Sequence, residues 1–576
     1  MLSLGKSIVC ILLCFFLSLF AGPLCGSVQT ANTESGEYPV FVSWDEEDGN
    51  FAFLRFSHDS GTYEEDHLTV LLSTSPEFTI AYTTDGTMPS PENDSGLSSL
   101  EVTVEGGNSG YLIAHRDLML CPEFNQTGFF DSPLLPSGTV LTAALLDKDG
   151  RMSEPISKVY YPGVSFSKRY PNCLVLSVVT DPANLLDYET GILVTGSVYD
   201  EWKQTDEGRE TILAQSWWVA ETNSTQRGRA WEKPVLLQLY DGESSPAVEL
   251  AAGIRVRGGV SRRMGQKSFN LYFRSAYGPD LLEYELFPET SSYTSVSLRS
   301  GGNETEGMKY KDAFLQSLVS DRDFTVLNSR PSVLFLNGEY WGPYCLQEKL
   351  SGRMLQDRYG VDKDQVVVIK DTEVEVGEDA DLLLYEDLMS YSAKDLSDPD
   401  TYLQFCGVMD VHSMADYFAV RIYIGDKDWQ PDRNDVLWRT RDRSFHDGRW
   451  QYILYDTEFS AGLFGSESTA ETTDHFLRAI KEFPLFAAAV KNEDFFRLFL
   501  SAIREIGSEC YAPERVGEQQ KQFQKSWDLL MPDFYLRYGD TSWAVSSSSD
   551  NMLRFFEKRF ELLIPKIERW GESRFP

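Results

Sequence analysis

The spacing of apolar and polar positions changes character twice along this chain. From Phe41 to about Tyr161, short apolar runs alternate with polar positions and are separated by turn residues, a pattern that predicts short strands. Phe78-Thr-Ile-Ala-Tyr-Thr-Thr-Asp85-Gly86-Thr-Met-Pro89 reads as a strand entering an Asp-Gly turn. The stretch from Val140 through Asp147-Lys-Asp-Gly150 to Ser157-Lys-Val-Tyr-Tyr161 reads as a second hairpin. A small all-β sandwich over residues 41–162 is the expected solution. From Leu174 to about Gly465 strand-like and helix-like segments mix, with Leu174–Asp181 and Thr190–Gly196 read as strand-turn units. Beyond Thr473 apolar residues recur at helical spacing, with Asp474, Glu493-Asp494 and Asp550 placed as helix starts. The aromatic stripes on those helices read as core, and Ser546–Ser549 is a short low-complexity tract.

The first residues pattern as a secretory signal: Lys6, an apolar core from Ile8 to Phe20, then small residues from Ala21 to Ser27. Residues 1–27 are assigned to the signal and 28–40 to a polar linker, so a secreted or cell-surface location is expected. Lipidation of Cys25 is the alternative, although Leu24 stands where that processing wants a small residue. The apolar run is short for a membrane span, and no transmembrane helix is expected after signal removal. Of eight cysteines, Cys121, Cys173, Cys345, Cys406 and Cys510 follow the signal; this scattered odd set is neither a disulfide framework nor a zinc site. Sequons occur at Asn93, Asn125, Asn223 and Asn303. A formal net charge of −36 argues against nucleic acid as a partner. It also requires that any polyphosphate site carry its own island of cations.

Such an island exists. Arg255, Arg257, Arg262, Arg263, Lys267 and Arg274 fall on a strand, a Gly-rich turn and a second strand headed by Lys267. Backbone N–H groups of such a turn approach phosphate oxygens, and a following lysine acts as a point charge on them; a solvated hairpin is the plain alternative. Val333–Lys349 forms a further strand pair around Asn337-Gly338, ending at Glu348, which is expected to pair with Lys267 or help hold a metal. An apolar stretch from Tyr417 to Ile424 leads into a loop carrying Asp426, Asp428 and Asn434. Finally, Trp450–Tyr455 reads as an apolar strand delivering Asp456 and Glu458 to its end. Burying two carboxylates costs several kcal/mol unless positive charge neutralises them, and a metal on phosphates is a common partner.

Taken in order, Gly-Ile-Arg-Val-Arg-Gly with Gln-Lys-Ser-Phe, Leu-Asn-Gly-Glu-Tyr-Trp-Gly with Glu348, Gly-Asp-x-Asp-Trp with Asn434, and Asp-x-acid resemble the spore-coat protein H (CotH) kinase family. The Tyr-Thr-Thr-Asp-Gly-Thr-x-Pro string resembles the small β-sandwich appended to chitobiase and β-hexosaminidase-type proteins. The expected fold is therefore multidomain: an all-β sandwich, then an α+β atypical protein-kinase-like domain over 163–470 with a helical C-terminal part over 471–576. The resemblance implies an ATP- and Mg2+- or Mn2+-dependent kinase acting on Ser or Thr of coat or surface proteins. It places Lys267 on the nucleotide phosphates, with Arg257, Gly258 and Ser261 in the covering turn and Glu348 orienting Lys267. Asp428, or Asp426 if the loop is one residue longer than in relatives, would be the base. Asp456, Asn434 and Glu458 would hold the metal; many relatives have Asp where Glu458 stands. Two other functions remain open from the residues: a non-catalytic surface scaffold, and a carbohydrate-active enzyme using the paired carboxylates. The β-sandwich suggests cell-wall or surface carbohydrate as a further partner.

Overall fold

A computed structural model describes residues 38–45, 50–106, 110–124 and 128–575, with side chains from Ala52 onward. The signal, most of the linker, Cys25 and the sequon at Asn125 lie outside the described residues.

The N-terminal region is β-rich. Strands Tyr38–Asp45, Asn50–Phe56, His67–Ser73 and Ser99–Glu105 make one four-stranded sheet. Gly61–Tyr63, Ile156–Pro162, Thr139–Leu146 and Thr79–Thr83 make another. Alternation does the sorting: along His67–Ser73, Leu68, Val70 and Leu72 are buried while Thr69 and Leu71 are exposed. Leu54, Phe56, Val70, Leu72, Val104, Leu141 and Leu145 from the two sheets share one apolar cluster. The excursion between the sheets behaves differently. Leu112, Ile113, Met119 and Phe129 pack into the core of the next region.

That region is a closed seven-stranded barrel. Its strands are β1 (Leu174–Val179), β2 (Lys233–Tyr240), β3 (Val248–Arg257), β4 (Ser268–Tyr272), β5 (Ser295–Arg299), β6 (Ser329–Leu336) and β7 (Glu339–Glu348). They follow the order β2-β3-β4-β5-β7-β6-β1, antiparallel except where β6 lies parallel to β1. Leu176, Leu237, Ile254, Leu271, Leu298, Leu334 and Leu346 fill the interior. Thr190–Gly196, expected as a strand, instead runs as a coil into a helix, Gly196–Trp202. Its amides bond back to the helix before it, with Ile192 N–H on the Asn184 carbonyl and Leu193 N–H on that of Leu185, so its apolar side chains are buried without a ladder.

The C-terminal region is helical around a small sheet, β8 (Val366–Lys370), β9 (Glu373–Val376), β10 (Val436–Thr440) and β11 (Gln451–Tyr452). Helix α1 (Lys311–Ser317) leaves the barrel, and α2 (Val411–Tyr423) is buried along nearly its whole length. Asp474 caps α3 (His475–Glu482) by accepting from Leu477 N–H, as its position predicts. Asp550, placed as a helix start, lies inside α4 (Ser542–Glu572). The serine tract does not stop that helix because its hydroxyls find partners: Ser546 bonds back to the Ser542 carbonyl, Ser548 to Glu304 and Ser549 to Gln520. No helix among the described residues is long and apolar enough to cross a membrane.

One buried cation ties α4 to the rest. Arg559 is 1 % exposed and donates to the carbonyls of Ile422, Tyr423, Glu471 and Thr473 at 2.7–2.9 Å. Burial without a bound carboxylate pulls its pKa down to about 10. Arg559→Met removes the side-chain donor to the Tyr423 and Glu471 carbonyls, whereas those of Ile422 and Thr473 keep the Gly425 and His475 N–H groups, and each buried orphan costs about 1–3 kcal/mol. Urea denaturation is expected to report a loss on the order of 3 kcal/mol or more. An unchanged midpoint would mean that α4 does not depend on this residue.

Candidate functional site

A cleft of about 230 Å³ opens where the mouth of the barrel meets the helical region, lined among others by Arg257, Gly258, Ser261, Ser268, Arg299, Gly302, Asp428, Asp456 and Glu458. Its upper wall is the turn after β3. Gly258 has φ +106°, and a Cβ there would sit 2.1 Å from Ser261 Oγ, so the tight turn requires glycine. Arg262 pins the turn from behind, donating to the carbonyls of Gly258 (2.6 Å) and Gln226 (2.9 Å). Arg257 lines the cleft. Its Nη2 donates to Tyr455 Oη at 3.0 Å, while its Nη1 is buried with no acceptor in the protein.

The other cations of the island are engaged elsewhere. Arg263 pairs with Glu221 (2.8 Å), Arg274 with Glu232 (2.9 Å), and Arg255 lies over the Tyr272 ring. Lys267 also turns away. Successive residues entering β4 point to opposite sides, so Ser268 lines the cleft while Lys267 is buried, donating from Nζ to the Met264 carbonyl at 3.0 Å. The expected Lys267–Glu348 pair does not form. Glu348 is held by Arg358 and accepts from Asn328 N–H (2.7 Å) and Thr290 Oγ1 (3.3 Å), all on the side of the barrel that Arg358 approaches.

Opposite the turn lie the acids. Trp450–Tyr455 is not the long strand its sequence suggests: the ladder stops at Tyr452 apart from a bridge at Ile453, and Asp456 takes φ +57°. The two carboxylates therefore project from a turn, and both meet one cation. Arg299 Nη2 lies 2.6 Å from Asp456 Oδ1 and 2.6 Å from Glu458 Oε2, and Nη1 lies 3.1 Å from Asp312 Oδ2. Asp312, Asp456 and Glu458 each offer an oxygen within 4.8 Å of the others. Burial works against charge on all of them. Despite it, Arg299 holds Asp456 well below the usual carboxylate range, whereas burial and the Asp456 charge push Glu458 well above it. Three carboxylates around one guanidinium leave a negative surplus. This all-oxygen donor set suits a hard divalent cation such as Mg2+ or Mn2+.

Arg421 on α2 organises what surrounds the acids. Fully buried, it pairs with Asp426 and donates through Nη2 to the carbonyls of Asn434 (2.7 Å) and Tyr455 (2.5 Å). Asp426 is thereby consumed: completely buried, with its pKa pushed up to about 6 by burial, it accepts from Asp428 N–H and shapes the loop. Asp428 is the acid that lines the cleft, raised by burial and steadied by Arg433 at 3.0 Å. Asn434, at φ +57°, donates from Nδ2 to the Asp428 carbonyl (2.8 Å) and does not line the cleft itself.

Sequence reasoning missed Asp312, Arg299 and the second glycine turn, Gly301-Gly302. The available signals were a cation closing the apolar strand β5 and the charge-dense Lys309-Tyr-Lys311-Asp312 entering an otherwise apolar helix.

The family model described as CotH kinase protein matches residues 254–561, from the middle of β3 into α4. This chain belongs to the CotH kinase family. The match takes in both glycine turns, Arg299, the acid trio, Arg421 and the Asp428 loop, while β1 and β2 of the barrel lie outside it. A search of curated proteins finds no match.

Two predictions separate the roles in this CotH site. Lys267 has a folded pKa lowered to about 8 by burial, against 10.5. The unfolded chain therefore holds the proton more tightly between these values, and the penalty is full below pH 8 and fades as pH rises toward 10.5. Lys267→Met is expected to stabilise the protein at pH 7, with an upper bound of about 3 kcal/mol, and denaturation midpoints should show the gain vanishing by about pH 10.5. Arg421→Met should do the opposite, costing on the order of 3–5 kcal/mol by leaving Asp426 buried and unpaired. Denaturation of R421M and of R421M/D426N, the latter regaining part of the loss, checks that assignment.

Proposed function

We propose that this member of the CotH kinase family is an exported atypical protein kinase that transfers the ATP γ-phosphoryl group to Ser or Thr hydroxyls of coat or surface proteins. In this reading the barrel and the helical region act as the two lobes of a kinase-like fold, and the N-terminal β-region is an accessory sandwich for which surface carbohydrate is a fitting ligand. The observation that carries the reading is one cleft bounded by a glycine turn with a partner-free Arg257 Nη1 on one side and by Asp456, Glu458 and Asp428 on the other, with Asp312 beside Asp456 and Glu458 in the acid trio.

Each residue then has a distinct task. Arg257 and the Gly258-Gly259 turn receive phosphate oxygens, a role in which the fixed fork of arginine serves better than a point charge. Asp312, Asp456 and Glu458 would hold Mg2+ or Mn2+, which offsets charge developing on the transferring group. Asp428, at the cleft edge, orients the acceptor hydroxyl and takes its proton; burial raises its pKa, which makes it a stronger base than a solvated carboxylate. Arg433 and Asn434 fix its loop.

One observation favours a second reading, a non-catalytic surface scaffold: Arg299 already occupies the middle of the acid trio. Calorimetric titration of the signal-free protein with ATP, with and without Mn2+, distinguishes the two. Metal-dependent binding that falls at least about tenfold in Asp456→Asn and survives in Lys267→Met is expected for the kinase. Absence of binding with any metal would leave the scaffold.

A further inference from the structure

Lys311, like Arg421, has none of its side chain exposed, and it does not line the cleft. Its Nζ makes two bonds to two different loops. One goes to Glu304 Oε1 at 3.1 Å, on the turn that carries Gly302. The other goes to the Ser460 carbonyl at 2.9 Å, two residues beyond Glu458.

These loops meet at the acid trio. A Cβ on Gly302 would lie 2.1 Å from Glu458 Oε1, so the glycine turn presses directly on that carboxylate. The neighbouring residue on α1, Asp312, belongs to the trio and also accepts from Thr457 N–H (2.7 Å) and Thr457 Oγ1 (2.9 Å). The first turn of α1 therefore grips the acid loop at Thr457 and Ser460, on either side of Glu458. Glu304 is fixed in turn. Its Oε2 accepts from Met308 N–H (3.0 Å), and its Oε1 also accepts from Ser548 Oγ (2.6 Å), in the serine tract of α4.

We propose that Lys311 is a positioning residue: through Glu304 and the Ser460 carbonyl it fixes the separation between the Gly302 turn and Glu458, and Ser548 makes the C-terminal helix part of that clamp. A neutral or hydrophobic residue could fill the same space, but it could not hold a carboxylate and a carbonyl from separate loops at once. Groups that hold metal ligands from behind commonly govern affinity 10- to 100-fold. The metal consequence rests on the kinase reading, whereas the clamp itself does not.

The test uses the signal-free protein and two variants. Lys311→Met leaves the buried Glu304 without its counter-charge, which threatens folding, so the deciding variant is Lys311→Met/Glu304→Gln, which removes both charges together. Hydrogen–deuterium exchange is read over residues 300–305 and 457–461, with β3 as the internal standard, and Mn2+ affinity is read by electron paramagnetic resonance. The expected result is exchange at least about tenfold faster in both segments with β3 unchanged, and Mn2+ affinity down by about tenfold or more. Wild-type exchange in both segments of the folded double variant overturns the clamp. Unchanged Mn2+ affinity overturns the positioning role. If the wild-type protein binds no Mn2+, the kinase reading fails by itself, and the exchange rates alone still uphold or overturn the clamp.

Discussion

The buried guanidinium of Arg421 is the constraint on which the site depends. A charge taken this far from water needs partners, and the groups that meet it come from different parts of the sequence: the Asp426 carboxylate and the carbonyls of Asn434 and Tyr455. Bonding the Tyr455 carbonyl sets the approach to Asp456, and bonding that of Asn434 sets the exit of the Asp428 loop. Both Asn434 and Asp456 adopt left-handed backbone, which these short polar side chains tolerate better than branched ones. The site is thus made by satisfying one interior cation, with α2 as the rigid support that delivers it.

A second interior cation does the complementary work. Arg299 closes a barrel strand and reaches three carboxylates supplied by α1 and the acid loop. It joins the barrel to the helical region electrostatically at the point where the cleft opens. In a chain of net charge −36 the cations closest to the acids sit where they are needed to permit burial. The basic island that stands out in the sequence is largely spent on its own neighbourhood, through Glu221, Glu232, the Tyr272 ring and backbone carbonyls.

This explains which parts could be read in advance. Hairpins and helix caps were legible because their cause is local: the alternation through His67–Ser73, the antiparallel pairing of Thr139–Leu146 with Ile156–Pro162, and the Asp474 cap all follow from neighbours in sequence. The four motifs were legible as an ordered set, and the family match spans them. Side-chain direction was not legible. Lys267 and Ser268 differ by one position and face opposite ways, so an error of one residue at a strand entry reverses the assignment. Glu348 met Arg358 rather than Lys267 because the partner is chosen by the folded arrangement of the barrel. Asp312 and Arg299 are brought to Asp456 across more than a hundred residues of chain, and no local pattern announces such a meeting. The end of the ladder at Tyr452 had the same kind of cause: Arg421 claims the Tyr455 carbonyl, and the strand pattern of Trp450–Tyr455 yields to it.

The charge balance of the trio carries the argument from structure toward chemistry. Three carboxylates with one guanidinium cannot all remain ionised in a buried site without a further positive partner, and in its absence the surplus is relieved by a proton on Glu458, whose pKa burial and Asp456 together raise. A divalent cation would serve the same electrostatic need with a larger charge, displacing that proton and competing with Arg299 for the same oxygens. With Asp312 and Asp456 ionised, Glu458 protonated and Arg299 positive, the set keeps one net negative charge, and a divalent cation in place of that proton would bring it to neutrality. The reach of the Glu458 side chain, one methylene longer than an Asp's, bears on this choice, because it lets the carboxylate meet Arg299 while its backbone stays one residue beyond Thr457, where Asp312 anchors the loop. Arg299 and a proton on Glu458 thus offset only part of the charge of the trio, and Asp312, Asp456 and Glu458 are the residues that would hold a divalent cation.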